Sequence, residues 1–406
     1  MRALLAFTGS RGDAQPGILL AHALRERGHE VTLALAPNLV PFAEAHGIAA
    51  VPYGYDSAAL LLAQRTDTRF GSRDPRARLR AALDLQRRGV PEMVRDLRAL
   101  VPGHDVVVAG MAGEEAAAAT ARAHGLPFAA LHFFPIQPNT AVPVVPAPWA
   151  RRLPAAVHRL GWTILTGLRA AALAPILPRA QAHTATVAIQ AYDPDLFPGL
   201  RAQLPGPFTG FPTDRDGLLR PPADPDLDAW LSAGTAPVYA GFGSMDVGDP
   251  LAFAAMLRQV CARRGRRLLL ASGWSPLPPG IDEAVAVVGH VDHAAVLPRC
   301  VAAVHHGGAG TTAAALRAGV PQVICSVQAD QPYWGAALRQ LGLAATVRAK
   351  DLTGERLTEL LDRVADPEVV LRAAAYATEY TDDGVDRAAD AVAALAAPIP
   401  APRRLR

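Results

Sequence analysis

The stretch "VHHGGAGTTAAALRAGVPQVI", Val304 to Ile324, contains one whole structural unit. An apolar run ends in two histidines, a glycine cluster follows, and an Ala-rich helical pattern leads into a second apolar run. A buried strand, a tight turn, a helix and another strand make a βαβ unit, the building block of parallel sheets. Gly307, Gly308 and Gly310 supply backbone angles that other residues resist. The first amides of the following helix have no internal partner, and Thr311 or Thr312 can cap that end or add hydroxyl donors. Such a terminus accepts an anion, most commonly phosphate, and His306 at the end of the strand is placed to donate to the same anion. The plainer alternative is that the glycines only turn the chain and the histidines satisfy backbone groups.

The same alternation extends in both directions. In the first half, "ALLAFT" precedes a helix from about Gln15 to Arg27, followed by "HEVTLALA", "IAAVPY", "DVVVAG", the helix Met111 to His124 and "PFAALHFF". In the second half, "PVYAGFGS" is followed by the helix Pro250 to Arg263, then "RRLLLASG", "AVAVVGHV", "VAAVHH", the helix Thr311 to Ala318, "PQVICSV", the helix Pro332 to Leu341 and "AATVRA". Between them lies "GFPTDRDGLLRPPADPDLD", Gly210 to Asp228, dense in Pro, Asp and Gly as linkers are. The expected fold class is α/β: two doubly wound, Rossmann-like domains facing across a cleft. Their expected extents are 1–211 for the first domain, 212–228 for a linker and 229–406 for the second, with the last helix a candidate to return to the first. An internal echo supports the pairing, because "FTGSRGD" and "GFGSMD" each follow the first strand of a half. Ligands of doubly wound sheets bind at the carboxyl ends of strands, where these turns lie.

Bulk composition narrows the function. Of 406 residues, 50% are hydrophobic and 19% charged, and the 40 basic and 37 acidic residues are interspersed. No basic block marks a nucleic-acid partner. Cys261, Cys300 and Cys325 show no metal-binding or disulfide spacing and read as reduced core residues of a cytoplasmic protein. The N-terminus lacks a signal-peptide layout. The segment "LGWTILTGLRAAALAPIL", Leu160 to Leu177, approaches membrane-spanning length, but Arg169 and Pro175 argue for a buried or substrate-lining helix. Membrane contact is expected to be peripheral at most.

An NAD-dependent oxidoreductase is the rival for any glycine turn in such a sheet. It needs an acidic residue at the tip of the next strand for the ribose, and "LALAP" has none. After the C-terminal glycine turn, the next strand ends in "ICSVQADQ", where Asp330 and Gln331 stand side by side. A carboxylate beside a carboxamide can read several sugar hydroxyls, which favours a sugar nucleotide.

The block "HHGGAGTTAAALRAGVPQVICSVQADQPYWGAALRQLGLA" resembles the donor-binding motif of the family 1 GT-B glycosyltransferases. The likeness is to bacterial enzymes that glycosylate natural products such as glycopeptides, and to the related sterol glucosyltransferases. "GSRGDAQP", "FGSM", "ASGW" and "VDHAAVLPRC" are similar to further blocks of that family, in the same order. The resemblance implies that His306 and the amides of Gly308, Ala309, Gly310 and Thr311 bind a diphosphate, with Ser244 facing them. It implies that Val291 meets the base, that Trp274 lies beside the nucleoside, and that Asp330 and Gln331 bind the donor sugar. Uridine and thymidine remain alternatives, because His290 and Val291 stand where plant relatives stack a Trp.

Inverting transfer needs a base for the acceptor hydroxyl and stabilisation of the departing diphosphate. Asp13 matches the base of the glycopeptide-type subgroup, and Ser10 and Arg11 can reach the diphosphate across the gap. A plain helix N-cap is the alternative role for Asp13. With no paired acidic motif beside the sugar-phosphate block, the expected cofactor is none and the expected metal is none. The co-substrate is a UDP- or dTDP-sugar. In the stretch "ALHFFPIQPNTAVPVVPAPW", Phe133, Phe134, Ile136 and Trp149 suggest an apolar acceptor, with His132 a further polar candidate. A sterol or lipid glucosyltransferase is the nearest alternative, a sugar-nucleotide epimerase a more distant one, and either a monomer or a homodimer is compatible.

Overall fold

Val-, Leu- and Ala-rich runs form two sheets in the computed structural model, which describes residues 1–397 except 73, 180–182, 244, 246–247 and 274. The first sheet holds β1 (Arg2–Phe7), β2 (Glu30–Leu35), β3 (Val51–Pro52), β4 (Val106–Gly110), β5 (Phe128–His132) and β6 (Thr186–Gln190). Its spatial order is β3-β2-β1-β4-β5-β6, with every pair parallel. The second holds β7 (Val238–Gly241), β8 (Leu268–Ala271), β9 (Gly280–Ile281), β10 (Val285–Val288), β11 (Ala302–His305), β12 (Gln322–Ser326) and β13 (Ala344–Arg348). Its order is β13-β12-β11-β7-β8-β10-β9, parallel except for the antiparallel edge strand β9.

Parallel strands covered on both faces read as continuous apolar runs, and β1 shows why. Ala3, Leu5 and Phe7 enter one core with Ile18 and Leu24 of the helix Arg11–Glu26. Leu4 and Ala6 enter the opposite core with Leu97 and Ala117. Gly17 lets that first helix lie close to the sheet, since a Cβ there would stand 2.4 Å from the Phe7 ring. The last helix, Gly384–Ala396, leaves the second sheet and packs on the first, with Ala388, Ala389 and Val392 fully buried in the core around β1.

The structure departs from the sequence reading in three places. The first helix starts at Arg11 rather than near Gln15, because Gly9 turns with φ +108° and Ser10 becomes the N-cap. The helices Ser57–Thr66, Pro75–Arg87 and Val90–Leu100, and strand β6, occupy segments for which the sequence carried no clear pattern. The helix Ala155–Leu173 buries only a narrow stripe, including His158 and Trp162, and is otherwise largely exposed. No helix among the described residues is long and apolar enough to cross a membrane.

Candidate active site

The carboxyl ends of the parallel strands in both sheets open into one cavity of about 1110 Å³. Its lining comes from the turns after β1, β4 and β5 on one side and after β7, β8, β10, β11 and β12 on the other. Doubly wound sheets bind ligands at this edge because the strand order reverses there and the connecting turns part.

On the second domain's side, β11 ends and the chain turns at Gly307, whose φ is +88° and whose hypothetical Cβ would meet Ile324 at 2.6 Å. The N–H of Gly307 donates to Nδ1 of His305 (3.1 Å), and the Nε2 of His305 lies 2.9 Å from Oε1 of Gln322. His305 is therefore a structural histidine. His306 faces the cavity. Burial lowers its pKa to about 4, with the Gly241 carbonyl acting in the opposite direction, so it is neutral at pH 7. A Cβ on Gly308 would lie 2.5 Å from Nε2 of His306, which explains why this position has no side chain. Gly308 caps the helix Ala309–Arg317, and Gly308 through Thr311 line the cavity with that helix's first amides. Unpaired amides and the helix dipole together suit this terminus to an anion.

Beyond β12 the chain passes Ala329, which at φ +54° is the sole described non-glycine residue in the left-handed region. That conformation costs about 1 kcal/mol or more and clusters at functional sites. It presents Asp330 as N-cap of the helix Gln331–Gln340. The indole N–H of Trp334 donates to Oδ2 of Asp330 (2.9 Å), and Trp334 is itself fully buried among Phe134, Phe197 and Phe211. Burial, with the charge of Asp13 in addition, raises the Asp330 carboxyl to about 6. Gln331 is partly committed to its own loop: its Oε1 accepts from the N–H groups of Val327 (2.8 Å) and Gln328 (3.0 Å). Its Nε2 lies 3.3 Å from Sδ of Met245.

On the first domain's side, Asp13 occupies the third position of the helix that Ser10 caps, so it is not the N-cap. Its Oδ2 accepts from both the N–H and the Oγ–H of Ser10, each at 2.8 Å. Burial raises its pKa, and the two Ser10 bonds oppose the rise. The guanidinium of Arg11 sits 4.4 Å over the Phe42 ring, and its charge adds to burial in lowering His290 and His293 across the cavity.

Two family models match the chain. The Glycosyltransferase family 28 N-terminal domain covers residues 3–129, and the C-terminal domain of erythromycin biosynthesis protein CIII-like proteins covers residues 271–389. Vancomycin aglycone glucosyltransferase of Amycolatopsis orientalis is 31% identical over 408 residues, 96% of each chain. This chain belongs to the GT-B glycosyltransferases of natural-product type. An uncharacterized glycosyltransferase of Mycobacterium tuberculosis is 38% identical over 397 residues, 94% of this chain and 95% of the relative. The solved glycosyltransferase VinC in complex with DTDP superposes with a TM-score of 0.67, covering 98% of this chain and 99% of that one at 24% identity, a likeness of fold.

The fold of this glycosyltransferase brings Ser10, Arg11, Asp13, Val291, His306, Gly308, Ala309, Gly310, Thr311, Asp330 and Gln331 to one cavity, with Phe133, Phe134 and Ile136. Two expected acceptor residues lie elsewhere. Trp149 is 57% exposed on the outer surface, because Pro148 starts a short 3-10 turn that swings it away from the cavity. His132 is buried at the end of β5, its Nε2 3.0 Å from Oε2 of Glu114, so it is spent on packing the sheet. Ser244 and Trp274 fall outside the described residues.

Several lining residues were not singled out as site residues by the sequence. Tyr55 lines the cavity with Asp13, and burial, then the charge of Asp13, pushes it up to about 12. Arg169 donates to Oε2 of Glu115 (2.7 Å) and to the carbonyl of Met111 (3.2 Å), forming an ion pair in the apolar half of the cavity. Tyr239 pairs with Nε2 of His293 (2.9 Å) on the second domain's side of the cavity. No group of three or more His, Cys, Asp or Glu suited to a metal occurs among the described residues.

Proposed function

We propose that this enzyme transfers a sugar from a UDP- or dTDP-sugar to a hydroxyl of an apolar natural product, with inversion at the anomeric carbon. The observation that carries the reading is the meeting of Asp13 and the amide-lined terminus at Gly308–Thr311 across one cavity. Asp13 acts as general base: Oδ1, the oxygen that Ser10 does not engage, takes the proton as the acceptor oxygen attacks. The bond from the anomeric carbon to the diphosphate oxygen breaks, and the diphosphate leaves with the electron pair. The helix amides and His306 receive its growing charge without the need for a metal.

Burial of Asp13 supports this role, since a carboxyl raised above its ordinary range is a stronger base. Asp330, fixed by the indole of Trp334, holds donor-sugar hydroxyls, and the Nε2 amide of Gln331 assists. Phe133, Phe134, Ile136 and Trp162 form an apolar wall for the acceptor. A relative named for an aglycone acceptor and a fold neighbour solved with DTDP support a reading with a nucleotide donor and a natural-product acceptor.

The test has two parts. Thermal shift with UDP, dTDP, GDP and NAD is expected to show stabilisation by a pyrimidine diphosphate; a response to NAD alone would overturn the reading. Asp13→Asn is expected to lower kcat by about 10²- to 10⁴-fold while nucleotide binding persists. Retained turnover would move the base elsewhere.

A further inference from the structure

The helix Ala155–Leu173 has two unlike faces. Its inner face supplies Trp162, Arg169 and Leu173 to the cavity. On its outer face Val157, Leu160, Ile164 and Leu168 recur at steps of three, four and four residues and form a continuous stripe, with Leu160 59% and Ile164 51% exposed. Apolar side chains aligned on a free helical face mark a contact surface. Trp149, just ahead of the helix, adds an exposed indole, a side chain suited to a boundary between water and hydrocarbon.

The charges around the stripe indicate its partner. Residues 116–192 contain no Asp or Glu. Arg152 and Arg159 stand exposed at the start of the helix and on its flank, and Arg76, Arg78 and Arg80 stand exposed on the adjoining helix Pro75–Arg87. Among the described residues none of these five has a carboxylate within 4.0 Å. That helix is anchored to the first through the Nε–H of Arg87, which donates to the Ala172 carbonyl (3.0 Å).

We infer that this face docks the enzyme on an anionic lipid bilayer, lying in the interface with its apolar stripe inserted and its arginines over the headgroups. Amphipathic helices with basic flanks bind in this way. Self-association fits less well: a two-fold contact sets a patch against its own copy, so Arg152 and Arg159 would meet arginines with no carboxylate from residues 116–192 between them, while on the adjoining helix Asp74 caps the N-terminus and Asp84 is paired with Arg69. Docking gives the cavity a route to its substrate, because the docked helix is also a wall of the acceptor half. An acceptor dissolved in lipid would reach Phe134 and Trp162 without crossing water.

The experiment is flotation with vesicles of phosphatidylcholine alone and of phosphatidylcholine with phosphatidylglycerol, which reads binding independently of glycosyl transfer. The wild-type enzyme is expected to float with the anionic vesicles, and to lose that binding as salt rises. Each of Arg152→Glu and Arg159→Glu is expected to weaken partition by at least about five-fold. Leu160→Asp/Ile164→Asp is expected to abolish flotation while the thermal shift with dTDP or UDP stays at the wild-type value, confirming an intact fold. Equal behaviour on neutral and anionic vesicles, or flotation by the double aspartate variant, would overturn the proposal. So would a concentration-dependent dimer, seen by sedimentation velocity, that the double variant disrupts.

Discussion

Replacing Asp330 with Asn separates the electrostatics of the cavity from its chemistry. The carboxyl of Asp330 is raised by burial from its ordinary value of 3.8 to about 6, in spite of the indole bond from Trp334. Because the folded value lies above the unfolded one, the folded protein holds this proton more tightly, and its stability falls as pH rises from below 4 to above 6. A rise of about two pH units at 1.36 kcal/mol each corresponds to about 3 kcal/mol at most. The residue keeps some surface in the cavity, and water there reduces the effect. Asn cannot ionise, yet its Oδ1 can still accept from Trp334. Asp330→Asn is therefore expected to gain about 1–3 kcal/mol over the wild type at pH 8 and almost nothing at pH 3.5. Urea unfolding at both pH values, followed by tryptophan fluorescence, measures the difference. Turnover is expected to fall at the same time, since the carboxylate proposed to hold the donor sugar is lost. A variant less stable than the wild type at pH 8, or a gain of equal size at both pH values, would refute the burial argument.

Three further expectations follow from geometry. Gly308→Ala places a Cβ 2.5 Å from Nε2 of His306, so it is expected to weaken UDP or dTDP binding by about ten-fold or more, the scale of one charge-assisted hydrogen bond; an unaltered Kd by calorimetry would refute the crowding. Gly17→Ala brings a methyl against the Phe7 ring and is expected to destabilise the first domain by about 1–3 kcal/mol, as overpacking does, with unchanged stability the contrary result. His306 is held neutral by burial at about 4, and a diphosphate beside it would raise that value. Binding of UDP-glucose, whose diphosphate does not titrate in this range, is then expected to tighten as pH falls from about 6 towards about 4, by an increment that His306→Ala removes, with proton uptake detected by calorimetry in buffers of different ionisation enthalpy. Binding that ignores pH over that range would contradict a phosphate contact at His306.

The residues of the site divide by how far each lies from a regular element. His306, Gly308 and Asp330 were legible because each sits within a few residues of a strand end in a βαβ unit, where position in sequence fixes position in space. Asp13 was legible as a site residue, but its local role was not. Whether it or Ser10 caps the helix depends on the turn at Gly9, which no periodicity reports. Tyr55 and Glu115 lie just past β3 and β4 but stand in no glycine turn or motif that marks them, and Arg169 reaches the cavity from a helix beside no strand, brought to Glu115 by packing. Trp149 shows the reverse error: an aromatic residue in a Pro-broken loop suggested a pocket, and the backbone turned it outward.

Local chemistry in the chain determined the strands, the glycine turns and the helix terminus suited to an anion, because these depend on side-chain period, on backbone freedom at glycine and on unpaired amides. The tertiary structure alone decided which turns share a cavity, and that one helix lines that cavity with one face and carries an apolar stripe on the other. These are distances between residues far apart in sequence. They are set by how two sheets bury their faces, a property of the assembled cores that no single segment contains.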